Sequence, residues 1–120
     1  MENGKPYISA VVPVYNEEGN VVELHRRIRE ACEKLGRPFE IIFVDDGSTD
    51  KTVELCRGLS PLRLIVFRKN FGQTAAFDAG IKAATGDIVV TMDGDLQNDP
   101  ADIPLLLTEI DRGYDIVSGW

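Results

Sequence analysis

The sequence predicts an α/β fold with a mostly parallel, Rossmann-like sheet and helices on both of its faces. Short apolar runs alternate with amphipathic stretches along the 120 residues, and only a few residues separate one from the next. This alternation is typical of parallel strands joined by crossover helices. The apolar runs are also nearly unbroken, as expected for strands that are buried on both faces.

The first strand and helix are predicted from a change in apolar spacing. Residues 8–14 are almost entirely apolar and predict a strand. Residues 18–35 predict a helix, because apolar side chains recur there at helical spacing and Gly36 follows as a stop signal. Those apolar positions are Val21, Leu24, Ile28, Cys32 and Leu35.

The second strand is predicted at residues 39–44 and leads into a short helix. Ser48 is the expected N-cap of that helix, and the helix dipole favours Asp50 in its first turn. The apolar positions of this helix are Val53, Cys56 and Leu59. A third strand is predicted at residues 62–67.

The rest of the chain repeats this order. Residues 72–84 predict a helix rich in small residues, and residues 88–92 predict the fourth strand. Asp99 and Pro100 mark the start of a last helix that runs to about Arg112. Residues 114–118 begin a fifth strand, so we interpret residues 1–120 as part of one domain, truncated at its C-terminal end. An uncovered sheet edge promotes pairing with another chain, so we also expect self-association.

Composition and charge argue against several classes of protein. The net charge of −7 does not suit a nucleic-acid surface, which needs clustered Lys and Arg. No apolar run approaches the ~18 residues of a membrane span, and the N-terminus lacks the pattern of a targeting peptide. Cys32 and Cys56 are expected to be buried thiols in a reducing cytoplasm. The single histidine, His25, is expected to be packed or solvent-facing rather than a metal ligand.

Polar clusters follow the first four predicted strands. They are Tyr15-Asn16-Glu17, Asp45-Asp46-Gly47-Ser48, Arg68-Lys69-Asn70 and Asp93-Gly94-Asp95. The carboxyl ends of parallel strands share one edge of the sheet, where such folds bind ligands. Polar residues in loops need no function, but the links at the opposite edge carry no comparable cluster of carboxylates. We therefore expect one site at the carboxyl edge.

Asp93 and Asp95 are the pair of residues that most clearly suggests a site for a divalent cation. In an extended chain, residues two apart point to the same side, so both carboxylates and Gln97 can share one side of a strand end. Two close carboxylates repel each other unless a cation lies between them, and divalent cations prefer oxygen ligands. Asp residues also occur in ordinary turns, so the pair alone leaves both interpretations open.

Five motifs follow one another along the chain. They are Val12-Pro-Val-Tyr-Asn-Glu17, Val44-Asp-Asp-Gly-Ser-Thr-Asp50, Arg68-Lys-Asn-Phe-Gly72, Met92-Asp-Gly-Asp-Leu-Gln97 and Gly113-Tyr-Asp-Ile-Val117. As a set, they resemble the family 2 glycosyltransferases of the GT-A fold, and in particular the polyprenyl-phosphate (dolichol-phosphate mannose synthase-like) branch. The resemblance covers essentially the whole chain, and it implies the nucleotide-sugar-binding part of such a domain.

The resemblance implies a binding site for a UDP- or GDP-sugar. The implied contacts are Pro13, Tyr15, Asn16, Glu17, Val44, Asp46, Asp93, Gly94 and Asp95. A tyrosine ring suits packing on a base, and carboxylates suit base N–H groups or ribose hydroxyls. We expect Asp46 to contact the ligand and Asp45 to support the turn. The alternative for Tyr15 is a half-buried aromatic side chain at a strand end.

The resemblance also implies Mg²⁺ or Mn²⁺ held against the donor diphosphate. Asp95 and Gln97 correspond to direct metal ligands, and Asp95 is the implied catalytic residue. Asp93 corresponds to a residue that binds ribose or reaches the metal through water. Arg68 and Lys69 either assist at the diphosphate or form a solvated basic pair.

The implied activity is inverting transfer of a hexose-type sugar to a polyprenyl phosphate. A phosphate monoester has a second pKa near ~6, so such an acceptor is largely ionised at neutral pH and needs little help from a general base. At full length the protein is expected in the cytoplasm, at the cytoplasmic face of a membrane. The alternative is a non-catalytic fragment that binds a nucleotide-sugar or a protein partner.

Two other folds with similar sheets fit less well. A phosphoacceptor receiver domain places its acidic pair after the first strand, whereas here the pair Asp45-Asp46 follows the second. A nicotinamide-binding domain needs Gly-x-Gly-x-x-Gly after the first strand, and this chain has Pro13-Val-Tyr-Asn-Glu17 there.

Overall fold

The computed structural model describes residues 6–92 and the backbone of residues 116–118. The strands of this part are β1 (Ile8–Val14), β2 (Phe39–Asp45), β3 (Arg63–Val66), β4 (Ile88–Thr91) and β5 (Ile116–Ser118). The helices are α1 (Val21–Lys34), α2 (Thr52–Cys56) and α3 (Gln73–Ala83). All of the strand pairs are parallel, in the order β3-β2-β1-β4-β5. The predicted α/β fold with a mostly parallel sheet is therefore confirmed.

The order of the strands reverses beside β1. The chain builds β2 and then β3 on one side of β1, and it builds β4 and then β5 on the other side. Sheets of this kind bind ligands where the order reverses, beyond the carboxyl ends of the strands. The topology thus favours a binding site at the carboxyl ends of β1 and β4.

The first helix begins later than the sequence predicts. Residues 18–35 were expected to be helical, whereas α1 starts at Val21. The backbone N–H groups of Asn20 and Val21 both donate to the Glu17 carbonyl, which places a turn ahead of the helix. This turn leaves residues 15–20 as a loop at the carboxyl edge.

The N-cap prediction for α2 is wrong. The helix begins at Thr52, and the side chain of Ser48 bonds instead to Asp45 and to the backbone of Asn16. The helix predicted between Asp99 and Arg112 lies outside the described residues. None of the helices in the described part is both long and apolar enough to cross a membrane.

Helices cover both faces of the sheet, as predicted. On one face α1 packs against β2, in a buried cluster that also contains residues of β1. Fully burying a leucine or isoleucine such as Leu24 or Ile28 contributes about 1.5–3 kcal/mol. The buried residues of this layer include Ile8, Ala10, Val12, Val14, Val21, Leu24, Ile28, Ala31 and Cys32. On the other face α3 packs its Ala76 into a smaller cluster with Val11, Ile42 and Val44.

The histidine and the cysteines belong to the core. His25 is 4% exposed, its Nε2 lies 2.8 Å from the Pro61 carbonyl oxygen, and its ring meets Phe43 edge to face. Cys32 and Cys56 are buried and free. Burial raises the pKa of the Cys32 thiol to about 12 and that of Cys56 to about 11. Both thiols are therefore protonated at neutral pH and have a packing role.

A carboxylate closes the amino edge of the sheet. Glu40 accepts hydrogen bonds from the Ser9 hydroxyl at 2.5 Å, from the Thr85 backbone N–H at 2.8 Å and from the Arg63 guanidinium at 2.8 Å. Burial alone would raise the pKa of Glu40, but these hydrogen bonds lower it below its ordinary value. The Glu40 carboxylate thus joins β1, β2, β3 and the turn before β4.

The packing of α3 on the sheet requires a glycine at position 80. A Cβ atom at Gly80 would lie 2.3 Å from Cγ1 of Val11 and 3.2 Å from Cγ2 of Val44. Helix propensity alone favours alanine over glycine by about 1 kcal/mol. Because Val11 is stiff and fully buried, the steric conflict outweighs that gain.

Gly80→Ala is expected to lower the free energy of unfolding by about 1–3 kcal/mol. Urea denaturation of the two proteins measures the change. The control is Gly58→Ala, because the atom nearest to a Cβ at that position is the Leu55 carbonyl oxygen, at an ordinary contact distance of 3.6 Å. The free energy of unfolding of this variant is expected to change by no more than about 0.5 kcal/mol. Equal or greater stability of Gly80→Ala would contradict the close packing of α3.

Candidate functional site

Three loops meet at the carboxyl edge of the sheet. We name them loop 1 (residues 15–20), loop 2 (residues 46–51) and loop 3 (residues 67–72). The backbone N–H of Asp46 donates to the Val14 carbonyl, and the N–H of Phe67 donates to the Asp45 carbonyl, each at 2.9 Å. These bonds continue the parallel ladders beyond the strands and bring the three loops side by side.

Side chains of loop 2 and α2 hold the backbone of loop 1. The N–H of Asn16 donates to the Ser48 hydroxyl and the N–H of Glu17 donates to the Thr52 hydroxyl, both at 2.8 Å. The N–H of Glu18 donates to the Asp50 carboxylate at 3.2 Å. Three successive backbone donors of loop 1 are therefore satisfied by the neighbouring loop and the start of α2.

Loop 1 returns hydrogen bonds to loop 2. The side-chain oxygen of Asn16 accepts from the Thr49 N–H at 2.8 Å, and the Glu18 carboxylate accepts from the Lys51 N–H at 2.9 Å. Asn16 has a φ of 50°, in the left-handed region that asparagine tolerates better than most residues. We call the hydrogen bonds between residues 16–18 and residues 48–52 the clasp.

The adjacent carboxylates Asp45 and Asp46 face two different loops. Asp45 is 1% exposed and accepts from the N–H and the hydroxyl of Ser48 at 2.9 and 2.5 Å. Asp46 is 5% exposed and accepts from the N–H of Phe71 at 2.8 Å and from that of Gly72 at 3.1 Å. Asp45 thus braces loop 2, while Asp46 joins loop 2 to loop 3. The sequence did not indicate the contact of Asp46 with loop 3.

Loop 3 also touches loop 2 at a glycine. A Cβ atom at Gly47, which has a φ of +80°, would lie 2.3 Å from the carbonyl carbon of Lys69. Lys69 and Arg68 are exposed, and the Lys69 ammonium lies 5.3 Å from the centre of the exposed Phe71 ring. Both basic side chains are therefore exposed at the carboxyl edge.

Four of the donor-site residues implied by the resemblance occupy the ends of β1 and β2 and the start of loop 1. Pro13 and Val44 are register partners in the sheet and are buried, so a ligand could reach only their backbone atoms. Tyr15 is 43% exposed, more than expected for a half-buried strand-end aromatic side chain. The Glu17 carboxylate accepts from the Asn20 side-chain amide at 3.2 Å.

Asp93, Gly94, Asp95 and Gln97 lie outside the described residues. The described part of the chain ends just before them, at Met92. The Met92 N–H donates to the Val11 carbonyl at 3.2 Å, and this bond holds the end of β4 beside β1. Within residues 6–92 no group of three or more His, Cys, Asp or Glu side chains is arranged to hold a metal ion. The metal-site prediction therefore stays a prediction.

The structural role of the hydroxyl-rich segment after β2 was not predicted from the sequence. Ser48, Thr49, Asp50 and Thr52 all take part in the clasp. The available signal was the density of Ser, Thr and Asp over these few positions, since such side chains readily bond to nearby backbone groups. Their partners lie more than thirty positions away, in loop 1, which local patterns do not reveal.

Comparison with known proteins assigns the family. The model of glycosyl transferase family 2 matches residues 9–120. An undecaprenyl-phosphate 4-deoxy-4-formamido-L-arabinose transferase of Pseudomonas aeruginosa (strain LESB58) is 46% identical over 122 residues. The match covers 94% of this chain and 36% of the relative, so the chain spans little more than a third of that relative's length.

Two solved structures that share the fold are complexes with nucleotides. The mannosyltransferase PcManGT from Pyrobaculum calidifontis, in complex with GDP-Man and Mn²⁺, has a TM-score of 0.67 and 31% identity, covering 76% of this chain and 28% of that one. The glucosyl-3-phosphoglycerate synthase from Mycobacterium tuberculosis, in complex with Mn²⁺, UDP and glucosyl-3-phosphoglycerate, has a TM-score of 0.68 and 28% identity. That match covers 91% of this chain and 42% of the synthase.

Gly47→Ala is expected to destabilise the protein by at least about 1–3 kcal/mol, because alanine at a positive φ is strained and its Cβ meets the Lys69 backbone. Urea denaturation measures the loss, and hydrogen exchange is expected to show faster exchange of the Phe71 and Gly72 amides. Gly19→Ala is the control in loop 1, since no atom lies within 4 Å of its Cβ position. Unchanged exchange in loop 3 would show that the contact with Gly47 does not hold that loop.

Proposed function

Because the chain belongs to glycosyl transferase family 2, we propose that the protein transfers a sugar from a UDP- or GDP-sugar to a polyprenyl phosphate. The observation that carries the proposal is the interlocked edge where loops 1, 2 and 3 meet beside the point of strand reversal. The similarity to an undecaprenyl-phosphate transferase supports the class of acceptor. The activity of the whole protein is part of this proposal, since the chain spans 36% of that relative.

The proposed donor site lies between the ends of β1, β2 and β4. The exposed ring of Tyr15 would pack on the base, and the carboxylates of Glu17 and Asp46 would accept from base N–H groups or ribose hydroxyls. Asp46 already accepts from two backbone N–H groups, so the ligand would take the remaining acceptor positions of its oxygens. The backbone of Pro13 and Val44 would form the floor of the site.

The proposed metal site begins where β4 ends. Asp93, Asp95 and Gln97 offer carboxylate and amide oxygens, the donor set that Mg²⁺ and Mn²⁺ prefer. Asp95 and Gln97 would hold the ion directly, and Asp93 would bind it through water or contact the ribose. When bound, the ion supplies positive charge that stabilises the diphosphate leaving group. Two related structures are complexes with Mn²⁺, which supports this choice.

The residues of the chain would mainly position the donor. An acceptor phosphate is largely ionised at neutral pH, so its oxygen can attack the anomeric carbon of the sugar without first losing a proton to a strong base. The bond from that carbon to the nucleotide diphosphate breaks as the new bond forms on the opposite side. Holding the donor rigidly at the carboxyl edge lowers the entropic part of this barrier.

A transfer assay on the full-length protein tests the activity. UDP- and GDP-sugars are supplied with undecaprenyl phosphate and Mn²⁺, and the lipid-linked sugar is measured. Formation of that product is the expected result. Donor binding without any transfer to lipid would instead support a nucleotide-sugar-binding protein with no catalytic activity.

The double variant Asp93→Asn with Asp95→Asn is expected to lose the Mn²⁺-dependent part of nucleotide affinity and to keep its fold. Amide oxygens are weaker ligands for a hard cation, and carboxylates that repel each other do not support a core. Calorimetry with and without Mn²⁺ measures the difference. The control is Asp78→Asn, an exposed acid of α3 paired with Lys82. Metal-dependent affinity equal to that of the unchanged protein would rule out the proposed ligands.

Asp46→Ala is expected to weaken nucleotide binding even in EDTA, because its proposed ligand partner is a base or ribose group rather than the metal. Losing one hydrogen bond to a charged group costs about 1.5–3 kcal/mol, or roughly tenfold to 150-fold in affinity. Titration with UDP and with GDP in chelator measures this. Asp78→Asn again serves as the control, and normal affinity of Asp46→Ala in EDTA would remove Asp46 from the site.

A further inference from the structure

We propose that Ser48 and Thr52 are positioning residues for the donor site. Each is the middle member of a relay in which a carboxylate orients a hydroxyl and the hydroxyl holds a backbone N–H of loop 1. Together the two relays fix the main chain on either side of Asn16, so that Tyr15 and Glu17 are presented to the nucleotide. The inference rests on the proposed function, since it concerns the same site.

The first relay runs from Asp45 through Ser48 to Asn16. The Ser48 hydroxyl lies 2.5 Å from Oδ1 of Asp45, and the Asn16 N–H lies 2.8 Å from the same hydroxyl oxygen. An ionised carboxylate can only accept, so the hydroxyl must donate its hydrogen to Asp45. Its oxygen lone pair is then directed to the N–H of Asn16. Asp45 is 1% exposed, so water competes little for this arrangement.

The second relay runs from Asp50 through Thr52 to Glu17. Oδ1 of Asp50 accepts from the hydroxyl of Thr52 at 2.5 Å and from its N–H at 2.9 Å, while the Glu17 N–H donates to the hydroxyl oxygen at 2.8 Å. Thr52 is fully buried. Burial alone would raise the pKa of Asp50, but the hydrogen bonds from Thr52 lower it below its ordinary value of 3.8. Asp50 therefore stays ionised and the relay keeps its direction at neutral pH.

The two relays hold a strained stretch of backbone. Asn16 sits at a φ of 50° between the two anchored N–H groups, and its side chain is tied to Thr49. Such a conformation persists only where its surroundings hold it. Tyr15 precedes Asn16 and is 43% exposed, so its direction depends on this backbone rather than on burial of its ring. Ser48 and Thr52 would thus act on the nucleotide through loop 1.

The variants Ser48→Ala, Thr52→Val and the two combined test the relays in the full-length protein. Ser48→Thr and Thr52→Ser keep the hydroxyl and serve as rescue variants. Thr74→Val, at an exposed position of α3, is the matched control for loss of a threonine hydroxyl. Affinity for UDP and for GDP with Mn²⁺ is measured by calorimetry, and exchange of the Asn16 and Glu17 amides by hydrogen-exchange mass spectrometry or NMR.

Each single variant is expected to weaken nucleotide affinity about threefold to tenfold, and the double variant more. The Asn16 and Glu17 amides exchange faster in these variants, while the rescue variants and Thr74→Val behave like the unchanged protein. In the transfer assay the KM for the donor rises and kcat at saturating donor stays the same. A purely structural role would lower the active fraction, and hence the apparent kcat, without changing KM.

Two outcomes overturn the inference and are distinguishable. If the unchanged protein binds neither UDP nor GDP, the proposed donor site fails and this inference fails with it. If the unchanged protein binds one of them and the double variant binds it equally well, the relays do not position the site, while the proposed function stands.

Discussion

The carboxyl edge depends on side chains from one short segment accepting the backbone hydrogen bonds of its neighbours. Loop 1 and loop 3 would each leave polar N–H groups without partners if residues 45–52 were apolar. Asp46 satisfies two such groups in loop 3, and Ser48 and Thr52 satisfy two in loop 1. A typical intramolecular hydrogen bond contributes about 0.5–1.5 kcal/mol net, so these four contacts together favour the observed positions of the two loops. Residues 45–52 thus organise loops 1 and 3, the neighbouring parts of this edge that the structure describes.

The position of β2 in the sheet allows loop 2 to form hydrogen bonds with both loop 1 and loop 3. β2 lies between β1 and β3, so its carboxyl end is next to both neighbouring loops. Glycines permit the close approaches that follow, at Gly47 against loop 3 and at Gly80 against the sheet. The opposite edge is closed by Glu40, whose carboxylate bonds within the protein. The two edges therefore use their acidic residues differently, one to join strands and the other to arrange loops.

The sequence predicts the strands and the fold well because apolar runs and helical spacing depend on short-range pattern. β1 has the predicted bounds, and the start of α1 differs only because Glu17 forms a turn with Asn20 and Val21. The role of Ser48 was mispredicted as an N-cap, since its partner Asn16 lies 32 positions earlier. The resemblance to the family favoured Asp46 as a ligand contact, and local pattern gave no sign of its bonds to Phe71 and Gly72. Contacts between loops depend on the sheet order, which a single sequence does not contain.

The structure of the full-length protein with Mn²⁺ and the better-binding nucleotide, UDP or GDP, would show whether the donor site lies at the carboxyl edge. We expect the base to pack on Tyr15 beside loop 2, with the diphosphate close to Asp93 and Asp95. We also expect Ser48 and Thr52 to keep their bonds to loop 1 and not to touch the nucleotide. A nucleotide bound at the amino edge near Glu40, or away from all three loops, would rule out a donor site at the carboxyl edge.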